Sequence, residues 1–179
     1  DITKSLKKYE RIFYCLKEIV VRSNYNINFK LLVSELREYQ KRTKVNFSYP
    51  ELVCVKNILL FIYTKRLAEL CHEEYANLLN KEKVARIIEN REEKDIELSN
   101  FLSDNVSVSE EANYIFEINN QLKELGSKSR RLFKELNELL EEKRISLKEI
   151  INNEYQKSID NDILISNIFG DLKDFFEFT

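Results

Sequence analysis

His72 is the single histidine of the 179-residue sequence, and it follows Glu69 by three positions. On a helix that spacing sets a carboxylate and an imidazole on one face, as in the Glu-x-x-His pairs of di-iron bundles, but such centres take a second pair and further carboxylates from other helices. One histidine cannot supply them, so a surface or packing role is expected for it. Cys71 adjoins His72, yet neighbours on a helix point about 100° apart and do not form a nucleophile and base dyad. Phosphate chemistry needs a Gly-rich loop opening a helix, and the two glycines, Gly126 and Gly170, are isolated from each other. The run Glu89, Glu92, Glu93, Asp95 and Glu97 has the carboxylates for acid and base work, but charge runs of this kind lie on solvated helical faces. The sequence therefore assigns no catalytic residue, no metal ligand and no cofactor-binding residue to this chain.

Two basic clusters, Lys41, Arg42 and Lys44 and then Lys128, Arg130, Arg131 and Lys134, are candidates for phosphate or an acidic neighbour. They lack the interleaved aromatic residues of a nucleic-acid surface, and the formal net charge of −2 gives no field to draw a polyanion. No nucleic-acid partner is expected. Tyr25, Tyr39, Tyr49 and Tyr63 have rings that stack on sugars, although tyrosines at helical spacing serve more often as core residues. Phe169, Phe175, Phe176 and Phe178 crowd the C-terminal end and are costly to leave in water. They are the candidate docking residues, either back onto the core, onto further polypeptide, or between copies of the chain.

These side chains must be positioned by helices. The composition is 43% apolar and 34% charged, enough for a core under a solvated surface, and with two Gly and one Pro few residues suit sheet corners or tight turns. An all-α fold follows, an irregular array or bundle of about six helices in one domain over residues 1–179. Cys15, Cys54 and Cys71 are odd in number and sit among apolar neighbours, which reads as small buried core residues of a reduced, cytoplasmic protein. No apolar run reaches the roughly 18 residues of a membrane span. The sequence holds no Met, even at its first position, so a fragment of a longer protein is expected.

Along the chain, Leu6, Tyr9, Ile12, Phe13, Leu16, Ile19 and Val20 predict a helix over Thr3 to Arg22, with Ser23 to Asn28 as its exit turn. Phe29, Leu32, Val33, Leu36 and Tyr39 predict a second, closed by basic residues at its C-terminal end. Ser48-Tyr-Pro-Glu51 combines a cap hydroxyl, a Glu three residues on and a first-turn Pro, the strongest helix start in the sequence. That helix is expected to run to about Arg91, with Asn77, Asn80 and Asn90 as places to bend, and its stretch Leu52 to Tyr63 should be the most buried helix of the core. Ser107-Val-Ser-Glu110 and Ser146-Leu-Lys-Glu149 repeat the capping spacing, with Gly126 as a stop between them. Leu132, Phe133, Leu136, Leu139 and Leu140 form one apolar stripe; Leu147, Ile150, Ile151, Tyr155, Ile159 and Ile163 form another.

Two stretches carry a family likeness. Tyr39-Gln40, then Glu51-Leu52-Val53-Cys54, then Leu59, Leu67 and Leu70 make the first; Leu136, Leu140, Asn153-Glu154-Tyr155-Gln156, Asn167-Ile168 and Leu172-Lys173 make the second. Over somewhat more than half its length the chain thus resembles the N-terminal helical region of the cyclic β-1,2-glucan synthases. It departs from them at Val53, where the family has Trp, at Lys56, where it often has Pro, and at Tyr155, where it has His. Asp174-Phe175-Phe176-Glu177 also follows Lys173 without the family's spacer. The resemblance implies a large, multi-domain, inner-membrane-associated glycosyltransferase that uses UDP-glucose and carries a glycoside-phosphorylase-like domain. The glucosyltransfer residues of that family lie beyond the matched region. The expectation is therefore a non-catalytic accessory domain packed on the downstream catalytic domains of the same chain. The alternative from the residues alone is a free-standing helical adaptor that holds a partner in an exposed groove.

Overall fold

The computed structural model describes residues 2–89 and 108–176, and every element among them is helical. The elements are α1 (Ile2–Arg22), α2 (Phe29–Thr43), α3 (Tyr49–Val53), α4 (Val55–Glu89), α5 (Val108–Glu124), a 3-10 turn at Gly126–Ser129, α6 (Arg130–Glu142) and α7 (Leu147–Phe176). The all-α expectation holds. No described helix is long and apolar enough to cross a membrane. Ser107, Asn90, the acidic residues from Glu92 to Glu97, and Phe178 lie outside the described residues.

The chain divides into two compact units, one made of Asp1–Leu70 with Asp160–Thr179 and the other of Cys71–Ile159. In the first unit the core joins Ile12, Leu16 and Val20 of α1, Leu32 of α2, Leu59 and Tyr63 of α4, and Leu164 and Ile168 of α7. The apolar face of α1 is the one its three-four spacing indicates. That helix closes with Asn24 and Tyr25 at φ +52° and +55°, and the Tyr25 N–H reaches back to the Val20 carbonyl at 2.9 Å. Asn is well suited to the left-handed position because its short side chain tolerates it. Asn28 then caps α2 by accepting the Leu31 N–H at 2.9 Å.

The second unit has its own core of Val84 and Ile88 from α4, Ile115, Ile118 and Leu122 from α5, Leu136 and Leu140 from α6, and Ile150 from α7. Gly126, at φ +59°, ends α5 where the sequence places the stop. The hydroxyl of Ser129 lies 2.7 Å from the carbonyls of both Leu122 and Gly126, so the freed end of α5 is satisfied. At the start of α7 the Ser146 hydroxyl accepts the Glu149 N–H at 3.3 Å.

Several expectations change. The helix begun at Ser48 is interrupted at Cys54, whose N–H turns to Glu51 and Leu52 instead of the Pro50 carbonyl, a one-residue tightening between α3 and α4. Asn77 and Asn80 do not break α4, because the Asn80 side chain is occupied in a cross-helix bond to Asn113. The stretch Leu52 to Tyr63 is buried on one face only: Leu59, Ile62 and Tyr63 are buried, while Leu52, Val53, Leu60 and Phe61 are exposed. So the long helix is only partly buried over this stretch. Of the cysteines only Cys15 is buried; Cys54 is intermediate and Cys71 exposed. On α7 the buried face passes from Ile150 to Asn161, Leu164, Ile168 and Asp171, leaving Tyr155, Ile159 and Ile163 in solvent.

Candidate functional site

Among the described residues, three side-chain constellations and two surface recesses stand out. The first is buried in the first unit. Asp171 sits on the core face of α7 and is 4% exposed. Its Oδ2 accepts the Ile27 N–H at 2.7 Å and the Tyr63 hydroxyl at 2.7 Å. Burial pushes the Asp171 carboxyl above its ordinary range, against the opposing pull of Tyr63 and Ile27, and burial and then Asp171 push the Tyr63 hydroxyl up. Asn167, one turn earlier, donates to the Asn24 carbonyl at 2.9 Å. These bonds fasten α7 to the turn after α1 and to α4. The carboxylate faces a hydroxyl and an amide that both donate to it, which is the chemistry of a structural clasp, not of a proton shuttle in contact with a cleft.

The second constellation centres on Glu51, at 5% exposure. Arg11 of α1 places Nη2 at 2.9 and 2.7 Å from its two carboxylate oxygens and Nε at 3.2 Å from Oε1. Ser48 donates to Oε2 through both its N–H at 2.7 Å and its hydroxyl at 2.8 Å. Burial raises the Glu51 carboxyl, but Arg11 and Ser48 outweigh it and hold it below the ordinary value. The same guanidinium lies 5.1 Å from the centre of the Phe47 ring, and Phe47 stacks on Tyr39 at 5.4 Å. Arg11 was not legible as a special residue from α1 alone, because its partner is supplied by a cap forty positions away.

In the second unit, Asn80 of α4 donates to the Asn113 side-chain oxygen at 3.1 Å, and Asn113 of α5 donates to Glu154 of α7 at 3.0 Å. This rung fixes three helices at one level. Phe116 meets Tyr155 edge-on beside it, at 5.3 Å. Asn113 is buried, so Asn113→Ala removes both bonds and is expected to cost about 1–3 kcal/mol, measured as the shift in chemical denaturation of the purified chain. A change below a few tenths would mean that the rung is replaced by solvent.

The groove lies on the first unit between α1 and α4. Tyr9, Phe13 and Tyr14 line one wall and Cys54, Ile58 and Phe61 the other, around a volume of about 590 Å³. Phe13 and Phe61 have ring centres 6.2 Å apart across it. Tyr14 and Phe61 remain 63% and 57% exposed. A second, charged recess between α1 and α2 mixes Glu18, Glu35 and Glu38 with Arg22, Lys41 and Arg42, so neither sign of ligand charge is favoured there. Arg22 pairs with Glu35, and Arg42 lies over the Tyr39 ring. Cys15 at its base is buried, and burial raises its thiol to about 11, which keeps it out of thiolate chemistry at neutral pH.

The residues singled out from the sequence fall elsewhere. Glu69 and His72 are exposed on α4, and Glu69 pairs with Arg66 at 3.1 Å. Among the described residues no group of three or more His, Cys, Asp or Glu could hold a metal ion. In the second basic cluster Arg131 pairs with Glu135 and Lys134 with Glu138 along α6. Of the tyrosines, Tyr63 is fully buried and Tyr39 is stacked, while Tyr49 is exposed. Phe175 packs against the first core and Phe169 is exposed. Phe176 is the last described residue of α7. Asp171 went unremarked in the sequence, although a lone carboxylate in the stripe Leu164, Ile168, Leu172 and Phe175 is a signal that could have found it. No family model, curated protein or solved structure matches this chain.

Proposed function

We propose that the chain is a non-catalytic helical accessory domain, and that its partner is the catalytic part of a glucan-synthesising enzyme that uses UDP-glucose, like the cyclic β-1,2-glucan synthases it resembles. The observation that carries the docking part of this reading is the aromatic groove between α1 and α4, whose exposed Tyr14 and Phe61 gain by being covered. In the same unit the buried carboxylates Asp171 and Glu51 are committed to internal donors. The glucan part rests on the two matched stretches of sequence.

The purified chain is expected to show no turnover of UDP-glucose or of β-1,2-linked oligosaccharides. Sustained turnover by homogeneous protein would overturn the reading. Phe61→Asp is expected to weaken binding to a separately produced catalytic region by about tenfold or more, with the helical circular dichroism unchanged; equal binding would move docking away from the groove.

The groove also favours the second reading, a free-standing adaptor that accepts an amphipathic helix of another protein. The mass of the native polypeptide separates the two. A chain far above 21.5 kDa supports the accessory domain, and one near that mass supports the adaptor.

A further inference from the structure

In the first unit, α2 carries a row of cations that its fold does not use. Leu32 and Leu36 turn into the core. At about 100° per residue, Phe29, Val33, Arg37, Lys30 and Lys41 fall in that order within about 120° on one flank of the helix, and with Ser34 they line a shallow recess there. Lys44 and Val45 follow at the C-terminal end, and both are exposed. Phe29 is 70% exposed. Among the described residues, Lys30, Arg37, Lys41 and Lys44 take part in no ion pair and no side-chain hydrogen bond. Glu38 is the carboxylate at the edge of this recess, and it stands toward the opposite flank, where it also borders the mixed-charge recess beside α1.

We propose that this flank of α2 is a peripheral membrane-binding surface, which lies along the headgroups of an anionic phospholipid bilayer with Phe29 at the headgroup–acyl boundary. Charge and shape together select the partner. Four unpaired cations on one side of a helix attract an anionic surface, and each raises partition onto it by about fivefold. The flank is convex, being the side of a single helix, so a plane meets its basic and apolar side chains together. Phe29 and Val45 stand at the two ends of the basic row, and the interfacial zone of a bilayer takes both kinds of side chain at once. A nucleic-acid strand would need several rings to stack on, and this flank has one. The formal net charge of −2 leaves the attraction local to the flank, and therefore sensitive to salt. This surface is separate from the aromatic groove, and it holds whether the chain is an accessory domain or an adaptor.

Co-sedimentation of the whole chain with lipid vesicles tests the proposal. The chain is expected to bind vesicles of phosphatidylcholine with about one third phosphatidylglycerol, and to leave pure phosphatidylcholine vesicles unbound. Raising the salt from about 0.05 to 0.5 M should weaken the binding by about tenfold or more. Arg37→Gln with Lys41→Gln should weaken it about 25-fold. Arg131→Gln with Lys134→Gln, at cations already paired with Glu135 and Glu138 on α6, should change it by less than about twofold. The sequence has no Trp, so Phe29→Trp adds a single local reporter. Its emission is expected to shift to the blue on the anionic vesicles and not on the neutral ones, which keeps the test open should the α2 double variant lose its helical circular dichroism. A chain that ignores the anionic vesicles, equal binding to neutral ones, an α2 double variant that binds like wild type, an equal loss in the α6 variant, or an unshifted Phe29→Trp emission would each overturn the proposal. So would binding to polyglutamate or duplex DNA in place of the vesicles, which would assign the flank to an acidic polymer.

Discussion

Asp171→Ala is expected to lower the stability of the chain by about 3–5 kcal/mol, because it strands two buried donors at once, each worth about 1–3 kcal/mol, and leaves a gap in the core face of α7. Among the described residues the Ile27 N–H and the Tyr63 hydroxyl both donate to the same oxygen of Asp171. Asp171→Asn keeps an oxygen for both and avoids burying a charge, so it is expected to lose less than half as much. The pH dependence gives an independent check. The folded carboxyl titrates above its unfolded value of about 3.8, so its contribution to stability is fully present below that pH and is lost as pH rises through the raised folded value. Chemical denaturation across acid pH should show this decline in wild type and lack it in Asp171→Asn. Equal stability of the alanine variant would mean that α7 is held by its apolar contacts alone.

Arg11→Ala is expected to be the other severe change, costing about 2–4 kcal/mol, somewhat below the figure for a fully buried pair because the arginine side chain itself is 35% exposed. The cost comes less from the lost attraction than from the Glu51 carboxylate left buried with only Ser48 to satisfy it. Here the sign with pH is opposite to that of Asp171. The folded Glu51 carboxyl lies below its unfolded value of about 4.5, so its stabilisation is present above that pH and lost as pH falls through the lowered folded value. Arg11→Ala should flatten that acid limb. The double variant Arg11→Ala with Glu51→Gln should recover part of the loss; a double as unstable as the single would place the cost in the packing of the arginine stem on Phe47 instead.

The local signals of the sequence carried the fold class. The cap at Ser48, the stop at Gly126, the cap at Ser146 and the apolar stripe of α1 each depend on a few adjacent residues, and each stands in the structure. What was not legible depends on partners far along the chain. Leu52 to Tyr63 is apolar enough to be a central helix, but composition does not say how many neighbours will cover it, and only one side is covered. On α7 the regular stripe that ends in Ile159 and Ile163 is outweighed by a second face, Asn161, Leu164, Ile168 and Asp171, because the first unit supplies a surface to bury it. The candidate groove arises the same way. Tyr9, Phe13, Ile58 and Phe61 each look like core residues in their own helices, and only the pairing of α1 with α4 leaves their edges open.

The split make-up of the first unit bears on how the chain comes off the ribosome. Ile27 and Asp171 are 144 positions apart, and Leu164 and Ile168 complete a core begun by Ile12 and Leu16. During vectorial synthesis, Cys71–Ile159 is complete while the N-terminal helices still await their last partner. At about 5–20 residues added per second, the helices before Leu70 wait several seconds with apolar surface in water. The later-made unit is thus the first that can close, and the N-terminal helices keep part of their apolar face uncovered until Asp160–Phe176 has been made.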